Sequence, residues 1–143
     1  MKTIEIKAVD LCDLLEDQSG FRTGYIDLQT GEILELFEDC DVPEVQEDRR
    51  RIESGMGRYL QIRPISSRDG FLIMETFVDA LPEGRNRDYL LRVLSGKKPF
   101  ANFQNALTQM GDLRDKWFAF HKEELRTLAV EWLKSQDVDA KLI

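Results

Sequence analysis

Apolar side chains recur at three- and four-residue spacing in five stretches of the chain, which is the period of an amphipathic helix. These stretches are residues 6–17, Ser66 to about Leu81, 86–95, 99–110, and Asp112 to about Lys134. A sixth stretch, residues 44–54, is strongly charged and is expected to form a helix that ends at Gly55. The pattern therefore predicts six helices, four of them after residue 65.

The stretch FRTGYIDLQTGEILELF, residues 21–37, predicts a β-hairpin, because apolar runs flank Gly31, which can take the positive φ of a tight turn. RYLQIRPI predicts a third strand, with Leu60 and Ile62 on one face and Pro64 at its end. The expected fold class is α+β, a small antiparallel sheet of about three strands packed with helices, with a C-terminal helical cluster. We expect a single domain over residues 1–143, acidic in 1–64 and mainly helical in 65–143.

The joint LSGKKPFANFQNALTQM, residues 94–110, combines glycine, lysine and phenylalanine between two predicted helices. It is not a phosphate-binding loop, because a helix precedes Gly96 and Pro99 follows the second lysine. Gly96 instead fits the C′ position of one helix, and Pro99 fits the first turn of the next. Lys97 and Lys98 are then expected beside the negative end of a helix dipole.

The charged residues are distributed unevenly along the chain. The formal net charge is −7, and residues 1–57 carry −9 while residues 58–143 carry +2. Because nucleic-acid binding needs a basic footprint, it is disfavoured for the first part. The acidic stretch Glu38, Asp39, Asp41 and Glu44 lacks the spacing of a calcium loop. We interpret it as a solvated surface, or as one that docks on a basic partner.

Two isolated cysteines, Cys12 and Cys40, have no CxxC spacing, which favours reduced thiols in a cytoplasm over a disulfide framework. The charged N-terminus lacks an apolar signal core, and no stretch approaches 18 consecutive apolar residues. These features predict a cytoplasmic protein without a membrane contact. No Cys/His cluster or HExxH motif is present, so we expect neither a metal nor another cofactor.

The single histidine, His121, falls within the apolar stripe of the last predicted helix. It is expected to be a core histidine with satisfied nitrogens, or alternatively a general base in a cleft beside Trp117. The candidate carboxylates for that second role are Glu75, Asp79 and Asp115. Glu75 and Asp79 are four residues apart on one helix face, which is also typical of a solvated, arginine-balanced surface.

An apolar face formed by Phe100, Phe103, Leu107 and Met110 follows the two lysines. Such a face is typical of a core. Lysines beside aromatic rings are also the ingredients of single-strand nucleic-acid binding. A weak nucleic-acid site would then use the basic side chains Lys97, Lys98, Arg114 and Lys116.

Four pieces of the chain resemble a conserved bacterial protein family of uncharacterised function. They are YIDLQTGEI, FLIMETFVD, SGKKPFANFQNAL and KWFAFHKEELRTLAVEWL, and they span roughly residues 25–133. Members of that family often carry basic residues where this chain has Ala101 and Asn102. The resemblance implies an intact bacterial cytoplasmic domain and supplies no catalytic residues.

The first functional hypothesis is a non-enzymatic binding or regulatory module that acts on a protein partner. Its surface would be the helical region around Phe100, Phe103, Trp117 and Trp132 with Lys97 and Lys98, or the acidic first half. The alternatives are a small enzyme with a cleft at His121 and a carboxylate, and the weak nucleic-acid binder. The oligomeric state does not follow from these patterns.

Overall fold

The computed structural model describes residues 3–38, 42–55 and 57–143. The chain divides into two compact units, Met1–Ile65 with Leu125–Ile143, and Ser66–Glu124. We call them the sheet unit and the helical unit and describe each by itself. The α+β class is confirmed. The expectation of one domain stays a prediction.

The sheet unit contains two separate sheets. A three-stranded antiparallel sheet has the order β3-β2-β4, and a two-stranded parallel sheet pairs β1 with β5. The elements in chain order are β1 (Ile4–Ile6), α1 (Ala8–Glu16), β2 (Arg22–Asp27), β3 (Ile33–Phe37), α2 (Pro43–Ser54), β4 (Tyr59–Ile62), the last part of α6 (Gly111–Ser135) and β5 (Ala140–Leu142). The three predicted strands and both predicted helices of the first half are therefore present.

The parallel pair corrects the prediction of a helix over 6–17. Ile4–Ile6 forms strand β1, and α1 begins only at Ala8. The register places Ile4 opposite Ala140 and Ile6 opposite Leu142. A three-residue strand has no period of its own to detect, and its partner lies at the far end of the chain. Local patterning therefore missed both strands.

The hairpin prediction is confirmed, with Tyr25 opposite Leu34 and Ile26 opposite Ile33. Gly31 has φ +83°, as the turn requires. Asp27, at the end of β2, is fully buried and forms an ion pair with Arg58 at 2.8 Å. The hydrogen bonds from the Arg58 guanidinium lower the pKa of the Asp27 carboxyl to about 2, although burial opposes that shift.

The core of the sheet unit is aliphatic. Its buried members come from both sheets, α1 and the end of α6, and they include Ile6, Leu11, Leu15, Ile26, Ile62, Ala129 and Leu133. Trp132 is half-buried and packs against this cluster. The apolar stripe of α6 past Leu125 therefore serves packing in this unit.

The helical unit consists of α3 (Ser67–Asp79), α4 (Arg85–Ser95), α5 (Pro99–Leu107) and the first part of α6. The predicted cap of α3 is confirmed, because the Ser66 hydroxyl accepts a hydrogen bond of 3.1 Å from the Asp69 N–H. Ile73, Met74, Phe77 and Val78 are buried on one face of α3. The predicted helix 99–110 is shorter than expected, since α5 ends at Leu107.

The joint between α4 and α5 differs from the predicted cap. Gly96 follows α4 with extended backbone at φ −93°, so its freedom to be left-handed is not used. Lys98 is instead the left-handed residue, with φ 47°, directly before Pro99 at the start of α5. The chain therefore reverses between the two helices at the lysine and not at the glycine.

Across the described residues, no helix combines the length and the apolar character that a membrane span requires.

Candidate functional site

Five side chains of the helical unit form what we call the aromatic cluster: Phe77, Phe103, Trp117, Phe120 and His121. Trp117 is 2% exposed and lies at its centre. Phe77 and Phe103 meet the Trp117 ring edge-on at 5.3 Å and 4.9 Å between ring centroids. His121 stacks on it at 4.8 Å with an interplanar angle of 10°. These are the geometries in which aromatic pairs stabilise a core.

This packing determines where the predicted catalytic candidates lie. His121 is half-buried against Trp117, Glu75 is half-buried on α3, and Asp79 and Asp115 are exposed. Two cavities of this unit, of about 840 and 680 Å³, are lined by other residues. Trp117 therefore belongs to the core, as Phe103 does, and neither offers an open surface to a ligand.

Among the residues that the structure describes, no group of three or more His, Cys, Asp or Glu side chains could hold a metal ion. Cys12 is half-buried on α1. Cys40, Asp39 and Asp41 lie outside the described residues, so the predicted acidic surface is represented only by Glu38 and Glu44, both exposed.

A groove of about 840 Å³ runs between α4 and α5, and we call it the α4–α5 groove. Two cations, Arg92 and Lys97, lie in its wall with Tyr89. Four carboxamides complete its polar lining, namely Asn86, Asn102, Asn105 and Gln109. Its lining contains no carboxylate. The groove therefore offers hydrogen-bond donors and positive charge to whatever enters it.

Local contacts hold these groups in place. The Arg92 guanidinium lies 6.0 Å from the centre of the Tyr89 ring, within the range of a cation–π contact. The Asn102 side-chain amide donates a hydrogen bond of 2.7 Å to the Lys97 carbonyl, which ties the joint to α5. Lys98 is exposed at the same joint. Lys97 and Lys98 thus lie on a short joint whose backbone is held to α5 by this hydrogen bond.

A family model described as Uncharacterised protein family (UPF0158) matches residues 1–142. The chain belongs to this family. The resemblance seen in the sequence is therefore confirmed over nearly the whole chain.

Relatives of the UPF0158 family occur in several bacteria. A protein from Pseudomonas aeruginosa is 28% identical over 114 residues, which cover 80% of this chain and 72% of that protein. Proteins from Chlamydia muridarum and Chlamydia trachomatis are 24% identical over 131 residues, or 91% of this chain. The chain spans 40% of the length of these chlamydial relatives. No solved structure matches the chain.

In this UPF0158 member, the predicted binding residues lie in different environments. Lys97 lines the α4–α5 groove, and Lys98 is exposed beside it. Phe100 is 42% exposed and lies against α3, where a side chain at Gly70 would approach its ring to 3.3 Å. Trp132 packs in the sheet unit. Both tryptophans therefore pack inside the protein, Trp117 in the aromatic cluster and Trp132 against the aliphatic core, and do not form the expected binding surface.

The carboxamides of the groove were not among the predicted site residues. Asn102, Asn105 and Gln109 are spaced three and four residues apart, which in the predicted helix 99–110 places them together on the face opposite the apolar one. That signal was present in the sequence. The signal did not by itself indicate a binding site, because the cation Arg92 belongs to the preceding helix. The packing of α4 against α5 brings Arg92 and the carboxamides to the same groove.

Proposed function

We propose that the chain is a non-enzymatic binding module that binds an acidic segment of a protein partner in the α4–α5 groove. The observation that carries the proposal is the lining of the groove, where Arg92 and Lys97 stand among carboxamides without a carboxylate. Charge-assisted hydrogen bonds from these two groups would favour a partner's Asp or Glu side chains.

The size and polarity of the groove support a short segment as the ligand. At about 840 Å³ it lies within the usual range of ligand pockets, roughly 300–1,000 Å³. Asn and Gln side chains both donate and accept hydrogen bonds, so they match the peptide groups of an extended chain. The cations would select the side chains and the carboxamides would hold the backbone.

A protein ligand is favoured over nucleic acid by charge and by burial. Residues 66–124 contain nine acidic and nine basic side chains, so the helical unit has no net basic footprint. Phe103, one of the two phenylalanines that would stack on bases, is fully buried. Three rings of this unit are exposed, Tyr89, Phe100 and Phe118, so the preference for a protein ligand depends chiefly on the lack of a net basic charge.

Binding is favoured over catalysis because the groove lacks a nucleophile with an adjacent base. Its lining contains no Ser, Cys, His, Asp or Glu side chain. Of the groups that acid–base and covalent catalysis use, the lining has only Lys97 and Tyr89, which are both exposed and have no carboxylate or histidine beside them in the groove to act as a base. His121 lines neither of the two cavities described in this unit, so these cavities give the enzyme alternative no support.

The test is fluorescence anisotropy with a labelled decapeptide of alternating Glu and Ser, beside a labelled single-stranded oligonucleotide of equal charge. The variant Arg92→Ala/Lys97→Ala should bind the peptide about tenfold or more weakly. The matched control Lys116→Ala/Lys122→Ala removes two exposed charges of the same unit outside the groove and should bind as the wild type does.

Three results would contradict the proposal. They are an absence of peptide binding at low salt, an equal loss in both double variants, and tighter binding of the oligonucleotide than of the peptide. The last result would favour the nucleic-acid alternative.

A further inference from the structure

The sheet unit contains a cavity of about 630 Å³, which we call the turn pocket. Its apolar lining is Ile4, Leu28 and Val138, and all three belong to or pack against the aliphatic core. Its charged lining is Asp137 and Asp139, and no Lys, Arg or His side chain lines it. Its charge is thus opposite to that of the α4–α5 groove.

The hairpin turn forms one wall of the turn pocket and is held by the buried Asp27. The Asp27 carboxylate accepts the Gln29 N–H at 2.9 Å, and the Asp27 carbonyl accepts the Gly31 N–H at 2.7 Å. Arg58 holds the same carboxylate with two hydrogen bonds of 3.1 and 2.8 Å. This wall is therefore preorganised and would lose little freedom when a ligand binds.

Gly31 places the turn directly on β1. A side chain at this position would overlap the carbonyl oxygen of Glu5, so only glycine permits the approach. The close contact brings Leu28 to the same cavity as Ile4. The motif YIDLQTGEI thus builds a pocket wall through its Asp27 and Gly31.

The end of α6 forms the opposite wall. Asp137 is left-handed with φ 57°, and the Val138 N–H donates 3.0 Å to the Leu133 carbonyl, which closes the helix. The Asp139 carbonyl accepts the Ile4 N–H at 3.1 Å. One Asp139 carboxylate oxygen accepts the Thr3 hydroxyl at 2.8 Å. A carboxylate has further acceptor sites, so Asp139 can still bind a cation.

From this geometry we propose that the turn pocket binds an arginine or lysine side chain of a basic protein segment. The apolar lining receives the aliphatic stem, and Asp137 and Asp139 receive the cationic head. An exposed ion pair contributes little by itself, so the apolar lining is essential to the fit. Gln29, Thr30 and Gln136 lie in the wall as partners for the segment's peptide groups. A free polyamine has no peptide group to use them.

The charge of the unit favours the same class of ligand. Residues 1–65 with 125–143 contain 18 acidic and 11 basic side chains, a formal net charge of −7. A basic segment would therefore be attracted to this unit before it reaches the pocket, and the attraction would weaken as salt increases.

The experiment uses the full chain labelled with ¹⁵N and the capped peptide Ala-Leu-Arg-Ala. We expect amide shift changes at residues 28–30 and 136–139, with a dissociation constant of about 1 mM or tighter. The neutral peptide Ala-Leu-Gln-Ala should bind about tenfold more weakly, because it cannot pair with the carboxylates. Spermidine should bind more weakly than the arginine peptide.

Variants then test the two carboxylates. Asp137→Asn/Asp139→Asn should weaken the arginine peptide about tenfold. The matched control Asp10→Asn/Asp13→Asn removes two exposed charges on α1 and should weaken binding by about twofold or less, which is the share of the unit's net charge alone. Shift changes elsewhere in the wild-type spectrum, equal binding of the neutral peptide, or spermidine binding as tightly as the peptide would each overturn the proposal. The amide shift changes of the wild-type protein test the proposal even if the double variant fails to fold.

Discussion

The two compact units stabilise themselves with different chemistry. The sheet unit has an aliphatic core and an ion pair whose carboxylate, Asp27, is buried while its partner Arg58 reaches the surface. The helical unit has an aromatic cluster around Trp117. The sheet unit depends on strand pairs that join distant parts of the chain, whereas the helical unit is built from consecutive helices. Their stabilities should therefore respond to different perturbations.

The same contrast appears in their cavities. The α4–α5 groove is lined by cations without a carboxylate, and the turn pocket by carboxylates without a cation. Each has a non-glycine residue in left-handed conformation nearby, Lys98 in one unit and Asp137 in the other. Two ligand classes of opposite charge are thus the expectation, and mutations in one cavity should not affect binding in the other.

The largest effect is expected from Trp117→Ala in the helical unit. It removes the central ring of the aromatic cluster and should lower the free energy of unfolding by about 3–5 kcal/mol. Urea unfolding followed by circular dichroism would measure it. His121→Ala, which removes a half-buried ring from the edge of the same stack, is the comparison and should cost about 1 kcal/mol. An equal loss in both variants would show that His121 is as much a core residue as Trp117.

The next effect concerns the sheet unit and its ion pair. The folded pKa of Asp27, about 2, is below its ordinary value of 3.8. Its stabilisation is therefore fully present above about pH 4 and is lost as the pH falls towards 2. Asp27→Asn should cost about 1–3 kcal/mol at neutral pH, because it weakens the hydrogen bonds of a buried group while Arg58 stays accessible to water, and it should make the acid branch of the stability curve shallower.

The control for that variant is Asp10→Asn, which changes an exposed carboxylate of the same unit. It should leave both the neutral stability and the acid branch nearly unchanged. Thermal unfolding between pH 2 and pH 7 would measure all three proteins. An acid branch as steep in Asp27→Asn as in the wild type would remove Asp27 as the source of the acid sensitivity.

The smallest predicted effect is an increase in stability. Lys98 has a left-handed backbone that costs a side-chain-bearing residue roughly 1 kcal/mol, so Lys98→Gly should raise the free energy of unfolding by about 0.5–1 kcal/mol. Lys97 does not have positive φ, and Lys97→Gly should lower the free energy by a similar amount. Denaturant titrations would measure both changes. A higher free energy of unfolding in Lys98→Gly and a lower one in Lys97→Gly would support the left-handed backbone at Lys98, and a lower value in both variants would contradict it.

Local patterns were sufficient for most elements. Helical periodicity located α3, α4 and the long α6, and the apolar runs around Gly31 located the hairpin. Both depend on interactions within a few residues, so a window of sequence contains the signal. The Ser66 cap of α3 was recognisable for the same reason. The left-handed Lys98 was not, because a glycine two residues earlier is the usual choice for that conformation.

The α+β class, the hairpin and the order of six helices followed from local patterns of the chain, because hydrophobic period and turn chemistry are local properties. Three features depend on packing between elements: Ile4–Ile6 pairs with Ala140–Leu142, Trp117 is buried among aromatic rings, and Arg92 lines the same groove as Asn105. These facts join residues that are distant in sequence or lie on different elements. Burial and cavity shape arise only when those elements pack.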